Sequence, residues 1–319
     1  MQMLQQIDRT LISGLCEQQK FFWLDLTAPS EQQVRELGEI LSLHPLAVED
    51  SLHFGQRPKL DVYGQTALLV LQGGRESRPE DENDEPLEEI HCYLSGDCIV
   101  TLHHNAYTEL ERLMPLFEQT ATNKSEQYFV YKIIDAIVDS FFPILADLDE
   151  EIDALEDVIV AGAKRQHLEE IFRLKRLLLR LRKAVIPMRD VFAREADQIA
   201  ELAGLEADSR DYFRDVYDHL IRIADELESY KEMVGGCADL YLSMVANRQG
   251  EVSKQLTIIA SVFLPLSFLT GFFGMNFDWE VSHVLTGIWT FLLGLSTMLI
   301  AAGGMWWWFH RRGWTGRDS

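Results

Sequence analysis

The sequence is poor in cysteine and in basic residues, and each shortage excludes a class of protein. Four cysteines in 319 residues form neither a Cys-x-x-Cys pair nor a dense disulfide framework, so a reducing compartment fits. Lys and Arg number 29 against 51 Asp and Glu, which makes the formal net charge −22. Because binding to phosphates requires clustered cations, a nucleic-acid partner is not expected.

Targeting and catalytic motifs are also missing. The first ten residues, MQMLQQIDRT, have no basic stretch followed by an apolar run, so no cleavable signal peptide is expected. The sequence contains no Gly-rich phosphate loop, nucleophile elbow or HExxH zinc motif. We therefore expect a protein that is not an enzyme and has no tightly bound cofactor.

Charge is absent from two long segments near the C-terminus, 256–277 and 284–309. A helix needs about 20 apolar residues to cross a bilayer, so both segments qualify as membrane spans. The second ends in MWWWFHRRGW, which is typical of an aromatic belt followed by a positive-inside anchor. Basic residues flank the outer ends of the pair and none lies between the spans. These features predict a multi-pass protein of the inner or plasma membrane with both termini cytoplasmic.

The rest of the chain predicts an α+β cytoplasmic domain followed by long helices. Strand and helix patterns alternate over residues 1–122, with one hairpin around Gly64 and another around 95–97. The acidic run 76–89 between them is interpreted as a solvated loop. Residues 123–208 predict an antiparallel helical hairpin with a kink at Pro143. A long stalk helix over 209–255 then leads into the first span, 256–277, followed by an extracytoplasmic loop, 278–283, the second span, 284–309, and a basic tail, 310–319.

Small and hydroxyl residues form a stripe along one face of the first span. Its members recur every three or four residues: Ser253, Thr257, Ala260, Leu264, Ser267, Gly271 and Gly274. Two spans of one chain cannot enclose an aqueous path, so the stripe is either the lining of an oligomeric pore or a surface for close helix packing. It ends at Asn276, whose amide, repeated around an axis, suits a hydrated cation. Mg²⁺ gives up its waters reluctantly, and the span has no carboxylate or imidazole to strip a transition metal.

The tripeptide Gly274-Met275-Asn276 at the end of this span resembles the signature of the CorA family of divalent-cation channels. The segments 168–192, 211–225 and 240–277, together with RPK at 57–59, also resemble family segments and occur in the same order. The resemblance implies a funnel-shaped homopentamer in the lipid bilayer. In it, a stalk helix continues into the pore-lining first span, and the second span lies outside.

The resemblance also implies roles for individual residues. The selectivity filter is Gly274, Met275 and Asn276, and the residues of the pore lining and its gate are Leu256, Leu264, Ser267, Asn247 and Gly271. Asp278 and Glu280 lie at the outer mouth. Asp215 helps bind a regulatory divalent ion between subunits, Asp239 lies on the lower stalk, and Asp61 is the carboxylate nearest to an expected partner position that reads Gly64-Gln65. With that ion bound the funnel is closed, so high cytoplasmic metal shuts the pore.

Three departures from the family pattern keep the transported ion open. The loop after the signature reads FDWEVSH without the Met-Pro-Glu-Leu of magnesium-type members, the sensor position reads Gly64-Gln65, and the basic tail is short. They favour the zinc-transporting branch, typified by ZntB and thought to couple Zn²⁺ to protons. The first interpretation is a channel for Mg²⁺, with Co²⁺ and Ni²⁺, gated by cytoplasmic divalent ions. The alternatives are a Zn²⁺ transporter and a non-conducting, membrane-anchored metal sensor.

Overall fold

The computed structural model describes residues 2–75, 86–120, 126–200, 209–273 and 288–314. Two compact units divide the chain, Met1–Ala238 and Asp239–Ser319. Most of the predicted acidic loop, the end of the first predicted span from residue 274 and the whole predicted loop 278–283 lie outside the described residues. Gly274, Met275, Asn276, Asp278 and Glu280 are among them, so the roles of these residues remain predictions.

A six-stranded sheet forms the centre of the first unit. Its strands are β1 (Gln2–Leu4), β2 (Phe22–Thr27), β3 (Lys59–Tyr63), β4 (Thr66–Gly74), β5 (Leu87–Leu94) and β6 (Cys98–His103), in the order β1-β2-β6-β5-β4-β3. The pairs β1–β2 and β2–β6 are parallel, and the other pairs are antiparallel. Both predicted hairpins are confirmed. The first turns at Gly64, whose φ of 67° suits glycine.

Helices cover both faces of this sheet. On one face, α1 (Arg9–Glu17), α2 (Glu31–Ile40) and α3 (Pro45–Ser51) pack on alternate residues of β2, such as Phe22 and Leu24. On the other face Trp23 packs against Phe117 of α4 (Thr108–Thr120), with ring centroids 4.7 Å apart. Because both faces are covered, the central strands are apolar at nearly every position, as the run FFWLDL shows.

Four long helices follow α4: α5 (Glu126–Asp139), α6 (Phe141–Ala161), α7 (Arg165–Ala200) and α8 (Ser209–Phe273). The predicted kink lies at Ser140, between α5 and α6. Pro143 explains this position, because a proline has no N–H to donate to the carbonyl four residues earlier and its ring crowds that carbonyl. Arg173 of α7 contacts Glu151 of α6 at 2.5 Å. Glu151 precedes the short connection at 162–164 by nearly as many residues as Arg173 follows it. Their contact therefore shows that α6 and α7 run antiparallel, as predicted.

The junction at Ser140 lies directly against strand β4. The backbone N–H of Gly74 donates to the Ser140 hydroxyl at 2.7 Å, and that hydroxyl donates to the Ile137 carbonyl at 2.5 Å. A Cβ at Gly74 would come within 2.6 Å of the Ser140 carbonyl oxygen. Glycine therefore permits this close approach, which holds the end of α5 against the sheet.

Helix α8 is continuous over 65 residues, through Gly235-Gly236 and Pro265. Its first part is amphipathic and buries, among others, Phe213, Val216 and Leu220. Helix α9 (Ile288–Arg311) overlaps the second predicted span. The fold thus confirms the predicted α+β domain followed by long helices.

Candidate ion pathway and metal centre

A stretch of α8 has the character of a membrane helix. Among the residues that the structure describes, one helix, Asp211–Phe272, contains a window long and apolar enough to cross a bilayer, judged by length and composition, and none of that window is buried. Leu256 is 62% exposed and Leu264 is 74% exposed. Large apolar side chains exposed in succession indicate a surface that contacts lipid or another subunit.

The continuous helix brings most of the predicted pore residues onto one face. At about 100° per residue, Leu256, Leu264, Ser267 and Gly271 fall within about 80° of arc. Asn247 precedes Leu256 by nine residues, which places it about half a turn away, on the opposite side of α8. The structure therefore groups four of the five predicted lining residues and does not group Asn247 with them.

Hydroxyl groups near this face are used inside the helix. Thr257 Oγ1 donates to the Ser253 carbonyl at 2.8 Å, and Thr270 Oγ1 donates to the Leu266 carbonyl at 2.9 Å. Such back-bonding satisfies the hydroxyl proton in an apolar medium and leaves the oxygen lone pairs available to accept. Pro265 also leaves the Ser261 carbonyl without its usual amide donor. This stretch of α8 thus has oxygen acceptors beside that face that carry no formal charge.

Asp215 is exposed on α8 and is oriented by a residue that the sequence analysis did not single out. Tyr131 of α5 donates its hydroxyl to Asp215 Oδ2 at 2.7 Å and stacks on Tyr212. Burial and the nearby carboxylates of Asp215 and Asp135 raise the pKa of Tyr131, so the phenol stays protonated and remains a donor. Because the two residues are 84 positions apart, no local sequence pattern indicates this contact.

Asp61 lies on β3, at the edge of the sheet, and is ion-paired. Lys59 Nζ is 2.8 Å from Asp61 Oδ2 and 2.5 Å from Asp50 Oδ2. Burial opposes the charge on Lys59, but its two carboxylate partners raise the lysine pKa overall. A divalent ion at Asp61 would therefore compete with a fully charged lysine. Asp239 is exposed on α8, in the second unit.

Comparison with known proteins adds the family. A protein-family model with the description CorA-like Mg²⁺ transporter protein matches residues 18–311 of this chain. The cobalt/magnesium transport protein CorA of Thermotoga maritima is 33% identical over 301 residues, which cover 92% of this chain and 83% of the relative. The zinc transport protein ZntB of Yersinia enterocolitica is 28% identical over 265 residues, 82% of this chain and 77% of the relative.

A solved structure supports the same fold. The complete structure of the CorA magnesium transporter from Methanocaldococcus jannaschii superposes with a TM-score of 0.79 at 22% identity, over 92% of this chain and 90% of that one. The family model and the Thermotoga relative both extend along about nine-tenths of the sequence. On this evidence the chain belongs to the CorA family of membrane transporters for divalent metal ions.

Proposed function

We propose that this chain forms a homopentameric channel that conducts hydrated Mg²⁺, with Co²⁺ and Ni²⁺ as further substrates. One observation carries the proposal: on α8, Leu256, Leu264, Ser267 and Gly271 share a face that has neither carboxylate nor imidazole. Repeated around a five-fold axis, this face forms a narrow path with two leucine constrictions. Hydrophobic constrictions of this kind gate by losing and regaining water.

The chemistry of the path favours an ion that keeps its water. Mg²⁺ dehydrates reluctantly and prefers oxygen partners, and the hydroxyl and carbonyl oxygens of α8 accept hydrogen bonds from its bound waters. Replacing the waters of a transition metal would need His, Cys or carboxylate ligands, so Co²⁺ and Ni²⁺ also pass in their hydrated form. Asn276 then forms the outer ring of amides that selects the hydrated ion, with Asp278 and Glu280 concentrating cations at the mouth.

Regulation by cytoplasmic cations is the second part of the proposal. Asp215 accepts a hydrogen bond from a neutral phenol, which orients the carboxylate without neutralising it. A divalent cation that bridges Asp215 to a neighbouring subunit stabilises the closed pentamer by mass action. Asp61 on β3 and Asp239 on α8 add two more carboxylates that can attract cations. When the ions are lost, the acidic subunits repel one another and splay apart, and the pore opens.

The proposed topology places two spans in the inner or plasma membrane with both termini in the cytoplasm. Its support is the end of α9, where Trp306 stacks on His310, Arg311 lies over Trp307, and Arg312 lies over Trp308. Aromatic rings that pack against cations match an interfacial anchor on the positive side of the membrane.

A zinc transporter, coupled to protons, is the second candidate. Two observations favour it: the loop FDWEVSH after the signature and the similarity to a zinc transport protein over most of the chain. The intact Gly274-Met275-Asn276 and the uncharged face of α8 favour Mg²⁺. The third alternative, a non-conducting membrane-anchored sensor, would need neither the intact tripeptide nor the uncharged face.

Flux into proteoliposomes containing the purified full-length protein tests the proposal. We expect Mg²⁺ entry that follows the membrane potential and is insensitive to a pH gradient. Zn²⁺ entry that rises with the proton gradient would replace the proposal with the second candidate. Folded protein that passes neither ion would support the sensor.

Removing the Asp215 carboxylate tests regulation. Asp215→Asn should raise the internal Mg²⁺ concentration that half-closes the channel by about tenfold, since a bridging charge–charge contact contributes on the order of 1–2 kcal/mol. Tyr131→Phe should cause a smaller shift, because it removes one orienting hydrogen bond of about 1 kcal/mol. Flux measured against internal Mg²⁺ gives both values. Tyr217→Phe is the matched control, and an unchanged closing concentration in Asp215→Asn would exclude its regulatory role.

A further inference from the structure

The C-terminal end of α9 concentrates cations in a chain that is otherwise strongly acidic. Arg311 and Arg312 are adjacent and both exposed. Neither guanidinium has a carboxylate partner among the described residues, whereas Arg35, Arg173 and Arg222 each form an ion pair with a glutamate. Because the formal net charge of the chain is −22, two such cations side by side indicate a surface that attracts an anion from outside the chain.

A backbone motif fixes the end of this helix. The N–H of Trp314 donates to the Phe309 carbonyl at 3.0 Å, and the N–H of Gly313 donates to the His310 carbonyl at 3.1 Å. This is the Schellman pattern, with Gly313 at a φ of 72° ending the helix. The rings of Phe309 and Trp314 stack with their centroids 5.6 Å apart, and Phe309 is only 4% exposed. The turn that carries both arginines is therefore held in one conformation.

Each arginine lies over a tryptophan ring one turn earlier. Arg311 Cζ is 5.2 Å from the centroid of the Trp307 ring, and Arg312 Cζ is 4.6 Å from that of Trp308. Helical side chains tilt toward the N-terminus, so a residue reaches back to its neighbour four positions earlier. The ring covers one face of the guanidinium and leaves the N–H donors in its plane directed outward. Two guanidinium groups placed in this way can bind the oxygens of one phosphate group.

The side chains next to these arginines are apolar and exposed. Trp307 and Trp308 are 56% and 44% exposed, and Leu299 and Ile300, further toward the N-terminus of α9, are 65% and 73% exposed. Ile300 lies about 20° from Trp307 around the helix, so an apolar side chain, an indole and the guanidinium of Arg311 follow one another along one side. Indoles are enriched at the headgroup level of a bilayer. This order matches a phospholipid, which has an acyl chain below its phosphate, and a soluble phosphate has no such part.

We propose that Arg311 and Arg312, supported by Trp307 and Trp308, bind the phosphate of an anionic phospholipid in the leaflet where α9 ends. A headgroup with a net negative charge, such as phosphatidylglycerol, complements the two positive charges. A zwitterionic headgroup such as phosphatidylcholine would bring its own cation beside the arginines. The inference rests on the second span of the proposed topology and does not depend on which ion the channel carries.

Lipid binding to the purified full-length protein tests this site. The protein in detergent is incubated with equal amounts of phosphatidylglycerol and phosphatidylcholine, loosely held lipid is removed by size-exclusion chromatography, and mass spectrometry counts the lipids that each chain retains. We expect a preference for phosphatidylglycerol. Arg311→Gln/Arg312→Gln should lower this preference by about tenfold or more, because each basic residue at an anionic surface contributes about a factor of five. Trp307→Leu should lower it by about twofold to fivefold, since an exposed cation–ring contact is weaker.

A matched double variant separates this site from general surface charge. Arg248→Gln/Lys254→Gln removes the same number of positive charges near the start of the first predicted span and should keep the preference. An equal loss of preference in both double variants would overturn the proposal. Inorganic phosphate should displace no more phosphatidylglycerol than sodium chloride of the same ionic strength does. Displacement by phosphate alone would replace the lipid with a soluble anion.

Thermal unfolding and the elution volume show whether each variant is folded and forms the same oligomer. If the double variant is not folded, Arg311→Gln and Arg312→Gln alone should each lower the preference by about fivefold. An unchanged preference in these folded variants would overturn the proposal. Because no ion flux is measured, that result would leave the proposed channel untouched.

Discussion

Replacing Asn276 with Ala is expected to abolish cation entry into proteoliposomes. In the proposed pentamer each subunit contributes one amide to the ring that holds the hydrated ion. Each amide contact contributes about 1 kcal/mol, so loss of the ring removes about 5 kcal/mol in all. This corresponds to a fall in flux of about a thousandfold or more. Flux of Mg²⁺ at fixed membrane potential measures the effect.

Two variants make this result specific to the ring. Asn276→Gln retains an amide at a shifted position and should preserve part of the flux. Asn247→Ala removes an amide half a helical turn from Leu256, so its effect should be much milder. If Asn276→Ala forms the same oligomer, by size-exclusion chromatography, and still conducts at the rate of the unmodified protein, the amide ring does not select the ion.

Leu264→Ser is expected to raise Mg²⁺ flux by about tenfold or more, measured at an internal Mg²⁺ concentration that closes the unmodified channel. Leu264 is the more exposed of the two predicted constriction leucines, and in the proposed pentamer it faces the axis. A hydroxyl in place of the isobutyl group widens the constriction and favours water within it. A barrier lowered by about 1.4 kcal/mol suffices for a tenfold gain.

Leu266→Ser is the matched control for this gain. Leu266 is the same residue type in the same span, about 200° around the helix from Leu264, so it faces away from the proposed axis. The control should change flux little under the same conditions. A leak that is equal in both variants would indicate a general loosening of the span instead of a gate at Leu264.

Local patterns were sufficient for much of the fold. Alternating apolar and polar residues around Gly64 and around 95–97 predicted both hairpins, because a two-residue period and a turn residue act over a few positions. The uncharged run from Leu256 predicted an apolar helix, and α8 continues through Gly235-Gly236 as expected. The kink was predicted at Pro143 but lies at Ser140. Pro143 has no N–H for the carbonyl of Asp139, four residues earlier, so the helix is interrupted just after that residue.

The sequence by itself predicted the two hairpins, the long helices and the apolar part of α8, and its motifs placed the chain in its family. The tertiary structure alone decided which charged groups meet. It joined Tyr131 to Asp215, paired Asp61 with Lys59, and brought His219 to the carboxylates of α5. The contacts of Tyr131 and His219 join residues on different helices, and the pairing of Asp61 with Lys59 depends on how β3 packs. No short-range pattern encodes either kind of contact. Electrostatic energy depends on distances of a few ångströms, and only the packed chain sets those distances.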